Sequence, residues 1–274
     1  MIFGLLMSFP LAVSSRLADG AHTAYGRAMV LTFGAGLALF SLTRGQRRDL
    51  RVHDGFFLVA ATWVVLPVFG SLPLMGYLPE LSFTEAYFEA ASGLSATGAT
   101  VLSGLDELPT SVNVWRTFMH WLGGMGVIVL VVAVLPLLGI GGRQLYKAEV
   151  PTPMKDASLT PRIAETAKGL WMTYVLLTVA CGFSLWWAGL EGWDALIHAM
   201  SIAGLGGFSS KDASIGHFDN LNAEIVTIVF ALLAALLVAS SLAVPATAGP
   251  HAGAVFQTKA GKQAEKETKR RTAQ

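Results

Sequence analysis

The chain has 274 residues, of which 53% are hydrophobic and 14% are charged, and its mean hydropathy is +0.56. This composition excludes an ordinary soluble domain and predicts an all-α, polytopic membrane protein. The formal net charge of +1 favours no particular partner, and the lone cysteine, Cys181, excludes a disulfide framework or a cysteine metal cluster.

Two apolar runs begin the chain, at residues 2–13 and 26–43. They predict two accessory transmembrane helices, joined by a polar turn around Asp19 and Gly20. The first run also has the length of the apolar part of a signal peptide. No basic segment precedes it and the rest of the chain is equally apolar, so a shortened first span is the favoured interpretation.

The rest of the chain is predicted to contain two similar units, each made of a span, a short apolar segment, a glycine-containing turn and a second span. The expected divisions are accessory helices at 1–50, a first unit at 51–142, a connection at 143–168, a second unit at 169–244 and a disordered basic tail at 245–274. The four spans of these units are expected at 55–78, 114–138, 169–190 and 222–244.

Residues 83–101 of the first unit lie between two predicted spans, but their helical part ends near Ser95 and is about half the length that crosses a bilayer. They begin as an amphipathic helix, with Thr84 as the expected cap and Glu85 in the first turn, and end in small and hydroxyl residues. This pattern predicts a re-entrant helix followed by an extended turn. Such a turn is tolerated at membrane depth only where it lines water, so its carbonyl groups are expected to face ions.

An internal repeat links this segment to the second unit. Residues 92–100 align with residues 201–209 without a gap, which places Gly98 on Gly207. Because the two copies are parallel, both turns are expected at one depth and facing each other. The alternative is that these glycines only form turns between packed helices. The residues whose backbone carbonyls are predicted to bind a cation are Ser95, Ala96, Thr97, Gly98, Gly204, Leu205, Gly206 and Gly207.

Charge distribution predicts an orientation. Basic residues concentrate at 44–51 and 143–168, whereas residues 79–113 contain five acidic residues and no Lys or Arg. By the positive-inside rule, the basic connections face the cytoplasm. The acidic loop and residues 204–221 are then on the outer side, where carboxylates would concentrate cations.

Several polar side chains admit more than one interpretation. Thr97 and Thr100 are expected to buttress the turn or to bind outer ions. Glu89 either faces the vestibule or caps a polar cavity. Arg116 is expected to extend outward or to pair with Asp106 or Glu107, in a structural role.

A second class of function is an intramembrane enzyme that uses Ser201, His198 and Asp194. Their sequence context includes no recognisable oxyanion hole, so this interpretation is disfavoured. Both His120 and His198 are expected to pack or to form hydrogen bonds rather than to bind a metal.

Five ordered motifs allow a comparison with a known family. They are Y-F-E-A-A-S-G-L-S-A-T-G-A-T at 87–100, W-L-G-G-M-G-V-I-V-L at 121–130, L-P-L-L-G-I-G-G-R-Q-L-Y-K-A-E at 135–149, R-I-A-E-T-A at 162–167 and G-G-F-S-S-K-D-A-S-I-G at 206–216. Through these motifs, which cover about residues 50–235, the chain resembles the Trk/Ktr/HKT superfamily of potassium transporters, most closely its TrkH-like membrane subunits.

The resemblance implies a fold related to potassium channels, in which four helix–pore loop–helix repeats surround one path. It implies potassium uptake across the cell (inner) membrane by a multi-pass protein, with potassium as the transported ion and no cofactor. Only the first two repeats are recognisable, and the third, which carries the gating loop in the family, is missing. A non-conducting truncated fragment is therefore the alternative function.

The expected partners are the potassium ion and the lipid bilayer, without nucleic acid. The resemblance also implies a cytosolic nucleotide-binding ring protein that gates the pore, with Lys155 and Arg162 as candidate contacts. A homodimer with four turns is a less favoured arrangement.

Overall fold

The computed structural model describes residues 1–45, 52–134 and 160–240, and next to the gaps it describes the backbone alone. Several predicted features lie outside the described residues. They are residues 46–51 of the first basic connection, the motif at 135–149, residues 143–159 of the second connection with Lys155, the side chain of Arg162, residues 241–244 of the second unit and the tail at 245–274.

The described part of the chain contains helices and no β-strand, as the composition predicted. The helices are α1 (Ile2–Leu6), α2 (Ser8–Leu17), α3 (His22–Thr43), α4 (Val52–Tyr77), α5 (Phe83–Leu94), α6 (Thr110–Val134), α7 (Thr160–Trp187), α8 (Gly192–Ala203) and α9 (Leu221–Ser240). A short 3₁₀ turn, Ser214–Phe218, precedes α9.

Four of the described helices are long and apolar enough to cross a membrane: His22–Thr43, Phe57–Tyr77, Ala167–Trp187 and Leu221–Ser240. The N-terminal apolar helix Ile2–Leu17 is shorter than these. Exposed leucine and isoleucine side chains recur along α9, at Leu221, Ile225, Ile228, Leu232 and Leu236. Such a face is stable against lipid and not against water. The chain is therefore a membrane protein.

The first apolar run forms two helices rather than one. They meet at Met7, and the second continues to Leu17, beyond the predicted end at residue 13. The helix can include polar residues beyond residue 13 because they find partners. The Ser14 hydroxyl is buried and donates to Asp19 Oδ1. The left-handed Ala18 ends the helix and starts the turn that the sequence placed at Asp19 and Gly20.

Helix α6 begins at Thr110, four residues before the predicted start at 114. The backbone of Ser111 in this first turn is bound from the N-terminal segment, since Ser111 N donates to Asp19 Oδ2 at 3.2 Å and Tyr25 of α3 donates to the Ser111 carbonyl at 3.0 Å. Asn113 is satisfied within its own loop, by the Leu105 carbonyl at 3.0 Å. Tertiary hydrogen bonds, rather than hydrophobic periodicity, set this boundary.

Two apolar clusters position the short helices. The first packs α5 between α4 and α6 around the buried Trp115, whose indole Nε1 donates to the Gly70 carbonyl of α4 at 3.0 Å. The second packs α8 against α7 and α9 through small residues, among them Cys181, Ala199 and Ala223. Each short helix therefore has a long helix on either side.

The chain divides into two compact units, the first made of Met1–Val127 and Trp171–Ala235 and the second of Ile128–Leu170 and Leu236–Gln274. Both short helices and the turns that follow them belong to the first unit. Most of the second unit lies outside the described residues.

Candidate functional site

Helices α5 and α8 are the two predicted short helices, and each contains 12 residues. α5 starts with a capping box, in which the Ser82 hydroxyl accepts from Glu85 N at 3.3 Å and the Ser82 N–H donates to Glu85 Oε2 at 2.9 Å. The prediction of Thr84 as the cap was wrong, because Thr84 lies inside the helix. Glu191 occupies the N-cap of α8, without a side-chain capping bond.

Both short helices end in the same way. In the first turn (residues 95–98), Ala96 N donates to the Gly93 carbonyl at 3.0 Å and Thr97 N to the Ser92 carbonyl at 3.0 Å. The second turn (residues 204–207) repeats this pair of bonds, from Leu205 N to Ile202 O at 3.0 Å and from Gly206 N to Ser201 O at 3.1 Å. These are the two bonds of a Schellman motif.

The residue that turns the chain out of each helix is not glycine. Ala96 and Leu205 both have φ of 55°, in the left-handed region that costs a side-chain-bearing residue about 1–2 kcal/mol. A Schellman motif usually has glycine at this position. Alanine and leucine therefore gave no indication in the sequence that the backbone would be left-handed here. The motif itself imposes this left-handed backbone, so both repeats end their short helix with the same geometry in spite of the strain.

The two turns touch each other. Gly98 and Gly207 have φ of 80° and 87°, and a Cβ atom added to Gly98 would overlap the carbonyl oxygen of Gly206. The same Cβ would lie 3.7 Å from Gly207 N, whereas a Cβ on Gly207 itself would have nothing within 4 Å. The structure therefore brings Gly98 against the predicted partner turn and leaves Gly207 beside open space.

Helix α6 passes the ends of both short helices at close range. A Cβ on Gly123 would overlap the Leu94 carbonyl at the end of α5, and one on Gly124 would lie 2.8 Å from Gly204 Cα. Small residues thus permit close helix contact.

His120, one turn earlier on α6, lies against the second turn. Its ring occupies the space that a Cβ on Gly206 would need and lies 4.1 Å from the Phe208 ring, between centroids. The prediction of a packing role is confirmed. Neither ring nitrogen of His120 has a hydrogen-bond partner within the described residues.

A buried carboxylate supports the end of the first turn. Glu89 of α5 is 0% exposed and accepts hydrogen bonds from the Thr100 hydroxyl at 2.9 Å, from Val101 N at 3.1 Å and from Arg116 Nε at 2.8 Å. It is therefore buried among polar partners, which favours the second of its two predicted roles over a place facing the vestibule. The Thr100 hydroxyl buttresses the loop, and Arg116 pairs with Glu89 rather than with Asp106 or Glu107.

The second turn has an equivalent support of different chemistry. His198 stands in the register of Glu89, and its Nε2 lies 2.9 Å from the hydroxyl of Ser209, which stands in the register of Thr100. Its Nδ1 lies 2.7 Å from the Asp194 carbonyl. Each short helix thus holds the hydroxyl residue beyond its own turn, through a carboxylate in one case and an imidazole in the other.

Comparison with known proteins agrees with this geometry. A family model described as TrkH, cation transport protein, matches residues 22–237. The chain belongs to the TrkH family. Relatives named Trk system potassium uptake protein TrkH are 48% identical over 236 residues in Halomonas elongata, covering 86% of this chain and 49% of the relative, and 46% identical over 238 residues in Escherichia coli, covering 85% and 48%.

A solved structure shows the same TrkH fold. The crystal structure of the potassium transporter TrkH from Vibrio parahaemolyticus matches with a TM-score of 0.72 and 42% identity, over 84% of this chain and 46% of that one. The chain therefore has the predicted helix–pore loop–helix repeats related to potassium channels. It spans about half the length of the TrkH relatives that it matches.

In this TrkH-family chain, the loops that follow the two turns are joined by hydrogen bonds. Asp212 beyond the second turn accepts from Gly104 N at 3.0 Å and Leu105 N at 3.1 Å, and its own N–H donates to Asp106 at 3.1 Å. The hydrogen bond from Asp212 N lowers the pKa of Asp106 below its usual value, with help from Lys211 and His217.

The geometry does not assemble the hydrolytic triad considered from sequence. His198 contacts Ser209 and the backbone of Asp194, and the carboxylate of Asp194 accepts from Ser210 at 2.6 Å. The Ser201 hydroxyl, which would have been the nucleophile, is buried and has no hydrogen-bond partner in the described part of the chain. Base and nucleophile are therefore not paired.

Proposed function

We propose that this chain contributes two of the repeats that surround a potassium uptake path, and that the backbone carbonyls of the first and second turns bind the ion. The observation that carries the proposal is the duplicated backbone: both turns have left-handed residues at matching positions, and they touch where Gly98 meets Gly206. Turns made only to reverse the chain between packed helices would end each helix in the same way, but they need no contact with each other.

The chemistry follows from what the turns offer. A potassium ion that leaves water needs oxygen ligands that offset its dehydration and still release it. Backbone carbonyls meet both requirements. The proposed ligand residues are those predicted from the sequence: Ser95, Ala96, Thr97, Gly98, Gly204, Leu205, Gly206 and Gly207.

The substrate is inferred from the relatives, whose names specify potassium uptake. We place the chain in the cell (inner) membrane, crossing it several times, with the loops that follow the two turns at the mouth and the basic connections in the cytoplasm. It is a transport subunit and not an enzyme, and it needs no cofactor. A cytosolic nucleotide-binding ring would regulate it from the basic side.

Since the chain spans about half the length of its relatives, two turns alone would line half of a ring. The remaining turns would come from further repeats or from a second copy of the chain. Cross-linking in active membranes separates these sources, because finding only monomers would exclude the homodimer.

Growth of bacteria that lack their own potassium uptake systems tests the function. Cells that produce this chain are expected to grow at lower potassium concentrations than cells that do not, and Gly98→Ser is expected to weaken discrimination of potassium over sodium. The matched control is Gly104→Ser, because Gly104 also has positive φ, 69°, but a Cβ there would meet nothing within 4 Å.

The outcomes separate the candidate functions. Unchanged selectivity in Gly98→Ser would contradict the assignment of the turns. Absence of uptake by a chain that is present and folded in the membrane would favour the non-conducting alternative.

A further inference from the structure

Arg116 of α6 lies behind both turns, with its side chain 0% exposed. Its Nη2 donates to the Thr100 hydroxyl at 3.1 Å and its Nη1 to the Ser209 carbonyl at 3.1 Å. These two acceptors stand in equivalent positions, each two residues beyond the positive-φ glycine of its turn. One guanidinium group therefore joins the ends of the two repeats.

The guanidinium plane is fixed from several sides. Its Nε donates to Glu89 at 2.8 Å, its Nη1 also donates to Asn113 at 3.0 Å, and its carbon lies 4.4 Å from the centroid of the Phe208 ring. Because the guanidinium group is planar and bonded on each side, it cannot turn toward other partners. It therefore fixes the distance between the groups that it binds. A lysine would retain the charge but could not reach both turns at once.

The charges of this group are balanced within the protein. Glu89 and Arg116 are both 0% exposed and lie 2.7 Å apart at their closest atoms. A buried pair of this kind is costly to form at membrane depth and is tolerated only when its hydrogen bonds are satisfied. Because the charges of Glu89 and Arg116 cancel, Arg116 can lie close to the proposed ion path without repelling the cation.

We propose that Arg116 is a positioning residue for ion selectivity, which fixes the separation of the two turns by binding Thr100 and Ser209 together. The proposal rests on the proposed function and adds the device that holds the carbonyls at a spacing suited to potassium. Discrimination between potassium and sodium depends on the number and arrangement of the carbonyl oxygens around the ion. A change in the separation of the two turns would therefore change how the ion is coordinated.

The test uses the whole chain with four substitutions. Arg116→Lys keeps the charge and removes the fork. Thr100→Val removes the hydroxyl that accepts from Arg116 and donates to Glu89, and Thr100→Ser restores it. Arg27→Lys is the matched control, since Arg27 lies on the exposed side of α3.

Selectivity is measured in two ways. The first is the ratio of rubidium to sodium uptake by uptake-deficient cells. The second is the difference between the unfolding temperatures of the purified chain in potassium chloride and in sodium chloride at equal concentration, which needs no conduction.

We expect the uptake ratio to fall on the order of tenfold in Arg116→Lys, which breaks the bond to the buried Ser209 carbonyl, and about threefold in Thr100→Val, whose hydrogen bonds are only part-buried. Thr100→Ser and Arg27→Lys should remain within about twofold of the unmodified chain. The preference of the unfolding temperature for potassium should shrink in the same order.

Each other result has a defined meaning. If the unmodified chain prefers potassium and both Arg116→Lys and Thr100→Val keep that preference, the inference is wrong and the proposed function stands. If the unmodified chain shows no preference in either measurement, the proposed function fails and the inference fails with it. Should Arg116→Lys not fold, the comparison of Thr100→Val with Thr100→Ser decides alone.

Discussion

The first and second repeats have the same backbone and different chemistry behind it. In the first, a buried carboxylate on α5, Glu89, holds the hydroxyl beyond the turn and is paired with Arg116. In the second, the imidazole of His198 holds the equivalent hydroxyl, and the ring of His120 fills the space beside Gly206. The difference shows that both repeats require the same turn geometry, whereas the supporting side chain is a carboxylate in the first repeat and an imidazole in the second.

The largest expected effect comes from breaking the charged support. Glu89→Ala leaves Arg116 buried without its counter-charge and should lower the free energy of unfolding by about 3–5 kcal/mol. His198→Ala removes a hydrogen bond between side chains and should cost about 1–3 kcal/mol. Chemical unfolding of the purified chain in detergent measures both. Equal losses would show that the two supports do not differ as described.

A second comparison uses the glycines of the two turns. Gly98→Ser must displace the Gly206 carbonyl and also strains a backbone at φ of 80°, so a loss of roughly 2–4 kcal/mol is expected. Gly207→Ser meets only the backbone strain, roughly 1–2 kcal/mol. The same unfolding assay measures the difference. A larger loss at Gly207 would contradict the contact between the turns.

The hydrogen bonds that join Asp212 to residues 104–106 predict that the stability of the chain depends on pH in acid. The pKa of Asp106 is lower in the folded chain than in the unfolded chain, so its contribution to stability is complete above the ordinary aspartate pKa of about 3.9 and is lost as pH falls below it. Asp106→Asn should therefore make the unfolding temperature less dependent on pH below about 4. Glu107→Gln, which changes a neighbouring carboxylate outside these hydrogen bonds, is the control. An unchanged pH profile in Asp106→Asn would exclude this linkage.

The smallest expected effect concerns the strained residues at the ends of the short helices. Ala96→Gly and Leu205→Gly relieve a left-handed backbone that costs about 1–2 kcal/mol, but each adds unfolded-state entropy worth about 0.5–1 kcal/mol. A net gain of roughly 0.5 kcal/mol is expected for both, measured as a small rise in the unfolding temperature. A clear loss of stability in either variant would mean that its side chain contributes more than the strain costs.

The sequence predicted the repeat well because the signal is local. The two short helices and the register of Gly98 on Gly207 follow from apolar segments that end in glycine-containing turns.

The supports behind the turns could not be predicted in this way. Glu89 and Arg116 are 27 residues apart, and Arg116 and Ser209 are 93 apart, so no local period links them. The sequence offered Asp106 and Glu107 as nearer partners for Arg116, and only the packing of α6 between α5 and the second turn excludes them. The left-handed backbone of Ala96 could not be predicted either, because the turn imposes this conformation and alanine does not favour it.

The most direct test of the central claim is to locate the ion. Thallium, a heavy stand-in for potassium, can be soaked into crystals of the chain in lipid and located by its anomalous scattering. The account requires a peak within coordination distance of the backbone carbonyls of the first and second turns, and its weakening when excess potassium is added. A peak elsewhere in the protein, with none at the turns, would contradict it.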